Sequence, residues 1–535
     1  MMAVWIGGGL AALMLAAASP APTASPSGPP STVRSPQVVE LLERHRHALG
    51  YMRSESATWT GIVVQNGTDQ PFTESADVEG RWKATYTLPF GQRSEGNDDS
   101  KEWIQDINGN VVVRPLEHKR SLLTRMLGFN GTLLDPDISW YLDGPLTVDG
   151  RSVIRIHGKV ATYDTVVYLD AHTTLVYGVE IAGRSVRYPQ YQNFNGLNVP
   201  SKAIETDENR TITRTITSVT MQPFGKLDFR PPAQRRAEFP KGQSDIAVDV
   251  EEPHSLIVLN AKVNGTPLKF LLDSGSSASL IDADEARLLK LPTAGSTRVA
   301  GATILTGTEA KADALEIGGV RFAPFVFEAV PLGLPASIKG YGIAGILGYD
   351  VLAQVVTRID YGGSRIRLIS PDSFSYSGTG QVLSLDPWSR LPHVATTVGD
   401  ADAATFTVDT GSDSGLIVYQ EFADAHQRDF MRPGDLAPDT AIDKHGNPIP
   451  NDPAPYFGDF TQASGAGGAI RVKTAVVSRL SLGKFSVDRV FTEIVLEPSG
   501  AFTPTATDGL LGAAVLSKFG AVFLDYSGER LILER

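Results

Sequence analysis

FLLDSGSSASLI (residues 270–281) and FTVDTGSDSGLI (406–417) decide how the C-terminal half of this chain is read. They align without gaps, Asp273 over Asp409, and each drives an apolar run into an acidic Ser/Thr-Gly turn and out again to Leu-Ile. Two further segments recur in the same order: IAGILGYDVL (343–352) with TDGLLGAAVL (507–516), and RIDYGGSRIRL (358–368) with FLDYSGERLIL (523–533). A weaker pair lies between them, LEIGGVRF from Leu315 and LSLGKFSV from Leu480. Four ordered correspondences read as an internal duplication. Two copies are too few to stack as a solenoid, which needs about three, so two facing lobes are expected.

Composition narrows the class. The chain has 535 residues, 42% hydrophobic and 20% charged, enough for two to four domains with their own cores. With 52 Gly, 34 Pro and many short Val/Ile/Thr runs, strands and turns are favoured over helices. A formal charge of -12 offers no broad basic face for nucleic acid. Cysteine is absent, which excludes a disulfide framework, a thiolate nucleophile and Cys-ligated zinc.

The start of the chain reads as a secretory leader. AVWIGGGLAALMLAAAS is a short apolar run with Ala16-Ala17-Ala18 as an A-x-A cleavage site, so residues 1–18 are expected to be a signal peptide, although no Lys or Arg precedes the run. The rival is an uncleaved anchor. No later segment is apolar enough to span a membrane, and a periplasmic or secreted location follows. Residues 19–36, rich in Pro, Ser, Thr and Ala, read as a disordered linker.

Residues 37–230 are expected to form one antiparallel β domain with short helices. VVELLERHRHAL has helical spacing; His45 and His47, two apart on it, point in opposite directions, cannot share a metal ion and are expected to be solvated. Alternating runs follow, such as TWTGIVVQ, GRWKATYTL, SVIRIHGKV and TITRTITSVTMQ, punctuated by turns at Asn108-Gly109 and Asp149-Gly150. LDAHTTLVYGVEI (169–181) with YQNFNGLNVPSKAIE (191–205) resembles the lipoprotein-sorting, LolA-like family. The resemblance implies a curved β half-barrel and, as a partner, lipid or lipoprotein; a structural or substrate-recruiting module is the plainer expectation. Residues 231–247, RPPAQRRAEFPKGQSD and its flanks, read as a second linker.

Beyond that linker, two copies of strand-Asp-[Ser/Thr]-Gly-Ser, each followed by an apolar-apolar-Gly tripeptide (Ile346-Leu347-Gly348 and Leu510-Leu511-Gly512), resemble the aspartic proteases of the pepsin and retropepsin type. Within them the chain looks most like bacterial retropepsin-like enzymes with both lobes in one polypeptide. The implied fold is mainly β: an acid-protease pair of β barrels, lobe one over 248–380 and lobe two over 381–535. The implied activity is an endopeptidase acting as a monomer on peptide or protein, with no cofactor and no metal.

The chemistry accounts for each residue type. Peptide hydrolysis without a metal or covalent nucleophile needs one group to take a proton from water and another to give one to the carbonyl oxygen. Asp273 and Asp409 would serve as that pair; like charges held close cannot both ionise, so they share a proton. Gly275 and Gly411 permit tight turns where a Cβ would obstruct. In the resembling families the hydroxyl after each Asp bonds across to the opposite loop, and Ser274 and Thr410 hold those positions. Ser276 and Ser412 are expected to donate their hydroxyls to the carboxylates, lowering their pKa and shifting the optimum towards acid. Gly348 and Gly512 are expected to let a strand thread against each active-site loop. Hairpin flaps are expected from 299–319 and 462–483, and a Pro/Asp/Asn-rich insert from Asp424 to Phe460 should form a loop at the cleft rim.

Rival readings remain. Each D-[ST]-G alone is a common Asx-type turn. The fold can also persist without activity, as a peptide-binding cleft, or the N-terminal domain can dominate as a lipid or lipoprotein carrier. No G-x-S-x-G surrounds Ser276 or Ser412, and no H-E-x-x-H joins the nine His.

Overall fold

The computed structural model describes residues 35–535 apart from 51–55, 66–67, 78, 80, 117–137, 161–162, 182, 195, 207–210, 224, 336–337, 339, 387–388, 400–402, 432–459, 497–499 and 503–506. The signal-peptide reading, nearly all of the first linker and most of the Asp424–Phe460 insert therefore lie outside the described residues. The chain is mainly β and divides into two compact units.

One unit comprises the described residues up to Ile107 and from Val113 to Ala233. It carries an antiparallel sheet built as two meanders, 56–105 and 140–222, joined where the first strand, Ser56–Gln65, pairs with the last, Thr211–Gln222. Alternation does the folding here: in Trp82–Leu88 every second residue is buried. Helix Pro36–Leu49 starts under the Ser35 hydroxyl, which accepts from the Val38 amide at 3.3 Å, and stops at Gly50 with φ 86°. Its buried stripe is Val38, Leu41, Leu42 and His45. This corrects the expectation that both histidines are solvated. Position 45 lies one turn beyond Leu41 and Leu42 on the core-facing side, and there His45 is 1% exposed with Nδ1 bonded to the Thr174 carbonyl at 2.8 Å. Burial lowers its pKa, so it packs as neutral imidazole.

The other unit comprises Asn108–Val112 and Gln234–Arg535. Hairpin Ile257–Val263/Thr266–Leu272 turns at Asn264 and Gly265, both with positive φ (49° and 84°), the geometry that Asn-Gly favours in two-residue loops. Its second strand runs parallel to Ile343–Leu347. In the second lobe Ala403–Asp409 likewise runs parallel to Gly509–Gly512. Six strands drawn from both lobes then form one sheet, in the order Asp245–Glu251, Arg365–Ile369, Val356–Asp360, Ala521–Asp525, Arg530–Glu534, Gln381–Asp386. The recurrent IDY and LDY segments meet at its centre, Thr357 opposite Leu524 and Ile359 opposite Val522. One apolar core continues through both lobes, from Leu259 and Phe270 to Phe406 and Leu533.

The second linker is only partly a linker. Asp245–Glu251 is an edge strand of the shared sheet, Glu238 bridges to Arg321, and Ala237 joins the core. Residues 108–112 also belong here: the Asn108 side chain donates to the Val326 carbonyl and accepts from the Val326 amide, both at 2.9 Å, as a paired strand would.

Candidate active site

The two parallel strand pairs place the acidic turns against each other. Asp273 follows Thr266–Leu272, and its amide donates to the Leu347 carbonyl at 2.9 Å; Asp409 ends Ala403–Asp409 opposite Gly512. The two carboxyl groups are hydrogen-bonded to one another across the lobe junction. Each also accepts from its own turn, Gly275 N–H to Asp273 Oδ1 at 2.8 Å and Gly411 N–H to Asp409 Oδ1 at 2.9 Å.

The approach is so close that only glycine fits. A Cβ on Gly411 would sit 2.3 Å from the Asp273 carboxyl carbon, and one on Gly275 would sit 2.5 Å from that of Asp409. Beneath the pair, bonds cross between lobes. The Ser274 amide donates to the Thr410 hydroxyl (3.0 Å) and the Thr410 amide to the Ser274 hydroxyl (3.1 Å). The two hydroxyls donate onward to Val408 O (2.7 Å) and Leu272 O (3.0 Å). Both side chains are fully buried.

Gly348 and Gly512 lie where their strands brush the acidic loops; added Cβ atoms would come within 2.5 Å of Ser276 O and 2.1 Å of Ser414 O. Ser276 departs from expectation. Its hydroxyl donates to Ala278 O at 2.7 Å, within the turn, and so is turned to the backbone instead of the carboxylate. Ser412's hydroxyl instead accepts, from the Ser414 amide at 3.4 Å. The backbone N–H groups of Ser276 and Ser412 reach the carboxylates and lower their pKa, but burial is the larger effect and lifts both aspartates above the ordinary range. The negative charge of Asp409 lifts Asp273 further.

A cleft opens over the pair, lined by Asp273, Asp409 and apolar side chains such as Leu280, Ile346, Ile417 and Leu510. Two hairpins roof it, Thr293–Ala300/Ile304–Ala312 and Phe460–Gly465/Gly468–Leu482. Their tips are joined: the Ala302 amide donates to Ala466 O at 2.7 Å, and the Thr303 hydroxyl to Gly467 O at 2.9 Å. Three acidic residues of the lining went unread in the sequence, Asp413 beside the second acidic turn and, on strands further along each lobe, Glu328 and Glu493. The signal was there: FVFEAV (325–330) aligns with VFTEIV (490–495), Glu over Glu, at the register set by Leu315 and Leu480.

Fold and site together define a protease-like region of the aspartic type. Residues 259–351 match a family model described as aspartyl protease, a stretch that holds Asp273 and the segment through Gly348. Among solved structures, a retropepsin-like aspartic protease from Rickettsia conorii is similar at 19% identity, covering 26% of this chain and 96% of that one, with a TM-score of 0.17. Basic 7S globulin from soybean is similar at 12% identity over 54% of this chain and 94% of that one, with a TM-score of 0.33. A LolA superfamily protein from Nitrosomonas europaea is similar at 12% identity over 36% of this chain and 97% of that one, with a TM-score of 0.28. No curated protein matches the sequence.

Proposed function

We propose that this protein is an aspartic endopeptidase whose reacting pair is Asp273 and Asp409. The observation that carries the reading is the carboxyl pair itself, one from each lobe, hydrogen-bonded together at the floor of a cleft. With one proton shared between them, the ionised carboxylate takes a proton from water as its oxygen bonds to the scissile carbonyl carbon. The protonated carboxyl gives its proton to the carbonyl oxygen. Collapse of the resulting gem-diol breaks the C–N bond: the protonated carboxyl gives its proton to the departing amine, the ionised one takes a proton from a gem-diol hydroxyl, and the pair again holds one proton. The aspartates titrate as a unit, so neither is assigned alone as base. Cleavage of a mixed peptide library by purified protein, blocked by Asp273→Asn, tests the reading.

The substrate is a peptide or protein in extended form, and the location proposed is periplasmic or secreted, supported by the apolar run ending at Ala16-Ala17-Ala18. Among the described residues, no helix is long and apolar enough to cross a membrane. The carrier alternative is less favoured. Arg214, on the face of its strand that also carries Ile212 and Ile216, is buried, pairs with Glu74 and stacks over Phe72, so charge occupies a face that acyl chains would need apolar.

The pH dependence has a definite sign. Activity is bell-shaped, rising as the pair loses its first proton and falling as it loses the second; with both carboxyls raised by burial, the falling limb lies well above the ordinary aspartate range, and the maximum is expected below neutrality. A maximum above neutrality in a pH–rate profile contradicts this. Stability runs the same way. A carboxyl whose folded pKa exceeds its unfolded value binds more protons when folded, so the pair's contribution to Tm is full below about pH 4 and is lost as pH rises through the raised folded values. The Tm of wild type relative to Asp409→Asn should therefore fall as pH rises; a difference that does not change with pH means that the pair does not titrate as described.

The roof gives a second check. In Gly301→Ala the new Cβ would stand 2.2 Å from the Ala466 carbonyl oxygen, forcing the flap tips apart. A fall of about tenfold in kcat/KM is expected from steady-state kinetics on a peptide substrate. Unchanged kinetics would remove the tip contact from the mechanism.

A further inference from the structure

Glu328 and Glu493 line the same cleft as the aspartates, one from each lobe, and the reaction above makes no use of either. Both lie on strands that run parallel to the segment leaving an acidic turn, Glu328 opposite Leu280 and Glu493 opposite Ile417. Their surroundings differ. Glu493 is 3% exposed and accepts a hydrogen bond from the Ser414 hydroxyl. The residue that aligns with Ser414 in the first lobe is Ala278, which has no hydroxyl to give.

Glu328 is left with an open acceptor. Its Oε2 is buried and has no hydrogen-bond partner among the described residues. The groups that face it are Thr297, whose hydroxyl lowers its pKa, Arg390, whose charge lowers it as well, and Glu309, directly across on the neighbouring strand, whose charge raises it. Burial outweighs these and holds the carboxyl up at about 7. A carboxylate withdrawn from water is costly unless a cation meets it, and Glu328 is one of the residues lining the cleft that receives substrate. The cleft wall next to it is apolar, with Leu256, Leu280 and Ile346. An alkyl stem can lie along such a wall while its charged head reaches the acid.

We propose that Glu328, with Glu309 behind it, forms a subsite for a lysine or arginine side chain of the substrate beside the scissile bond, and that Glu493, capped by Ser414, does not. The proposal rests on the endopeptidase reading and deepens it. It makes the protein selective for cationic peptides, which agrees with the acidic balance of the chain.

The test uses the full-length protein and pairs of fluorogenic peptides identical except for lysine or norleucine at each position flanking the cleaved bond. At one position lysine is expected to be favoured about 30-fold in kcat/KM. Glu328→Gln, nearly isosteric, should bring that ratio close to one, while Glu493→Gln should leave the ratio within about twofold. Ala278→Ser, which supplies the missing hydroxyl without removing the acid, should lower the ratio part of the way. The ratio should also increase as pH rises towards 7 and Glu328 ionises. No lysine preference in wild type, or one that survives Glu328→Gln, overturns the proposal. Should wild type cleave no peptide at all, the endopeptidase reading fails separately, and the subsite is read from binding of the same peptides to Asp273→Asn. Lysine peptides binding at least about tenfold more tightly, with the difference lost in Asp273→Asn/Glu328→Gln, supports it; equal binding overturns it.

Discussion

Asp273→Asn is expected to lower kcat/KM for peptide cleavage about 10⁴-fold while leaving the fold intact. The amide keeps the shape of the carboxyl and its contact with Gly275 N–H, so the turn has no reason to open. What it loses is the proton: an amide neither takes one from water nor passes one to a carbonyl oxygen. The pair acts as a unit, so Asp409→Asn should do the same damage and the double variant little more. Thermal stability near neutral pH should hold or rise, since each change removes a carboxyl that burial forces towards its protonated form. Steady-state kinetics with Tm measured on the same samples decides the matter. Cleavage within tenfold of wild type in both single variants would remove the carboxyl pair from the chemistry.

Thr410→Val should unsettle the junction between the lobes. Its hydroxyl accepts from the Ser274 amide and donates to the Leu272 carbonyl, all of it out of reach of water. Valine preserves the volume and leaves a donor and an acceptor buried and unmet. Each such group costs about 1–3 kcal/mol, so a loss of about 3 kcal/mol is expected, or about 5 °C in Tm for a unit of this size. Activity should fall as well, because the bonds lost are those that hold the two acidic turns in register. Thr410→Ser, which retains the hydroxyl, should recover most of both. A Tm within about 1 °C of wild type for Thr410→Val would mean that the crossing bonds contribute little.

How much of this was legible depends on the range of the interactions involved. Asp273 and Asp409 stood out because each sits in a short local pattern, strand then Asp-[Ser/Thr]-Gly, that occurs twice in register. Glu328 and Glu493 carry an equally regular alignment, yet a Glu within an apolar strand has no local meaning. Only the neighbouring strand, and residue 278 or 414 beyond it, decide whether it is capped or open. His45 was misread for a related reason. The spacing of two histidines says only whether they face each other, whereas burial is set by the stripe that position 45 shares with Leu41 and Leu42. The stretch from 231 to 247 has a linker's composition, but Asp245–Glu251 finds a partner more than a hundred residues away, in Arg365–Ile369. Such pairing leaves no mark on Pro and charge content.

From the chain alone came the β class, the pairing of two acidic turns, and the need for glycine beside each, because turn chemistry and strand alternation act over a few residues. Tertiary structure alone decided that the two carboxyls touch, that Ser274 and Thr410 cross between lobes while the Ser276 hydroxyl turns away to Ala278, and that one cleft glutamate is capped and the other is not. Each of those outcomes depends on which group stands within about 3 Å of another, and residues far apart in sequence meet at that distance only once the chain has folded.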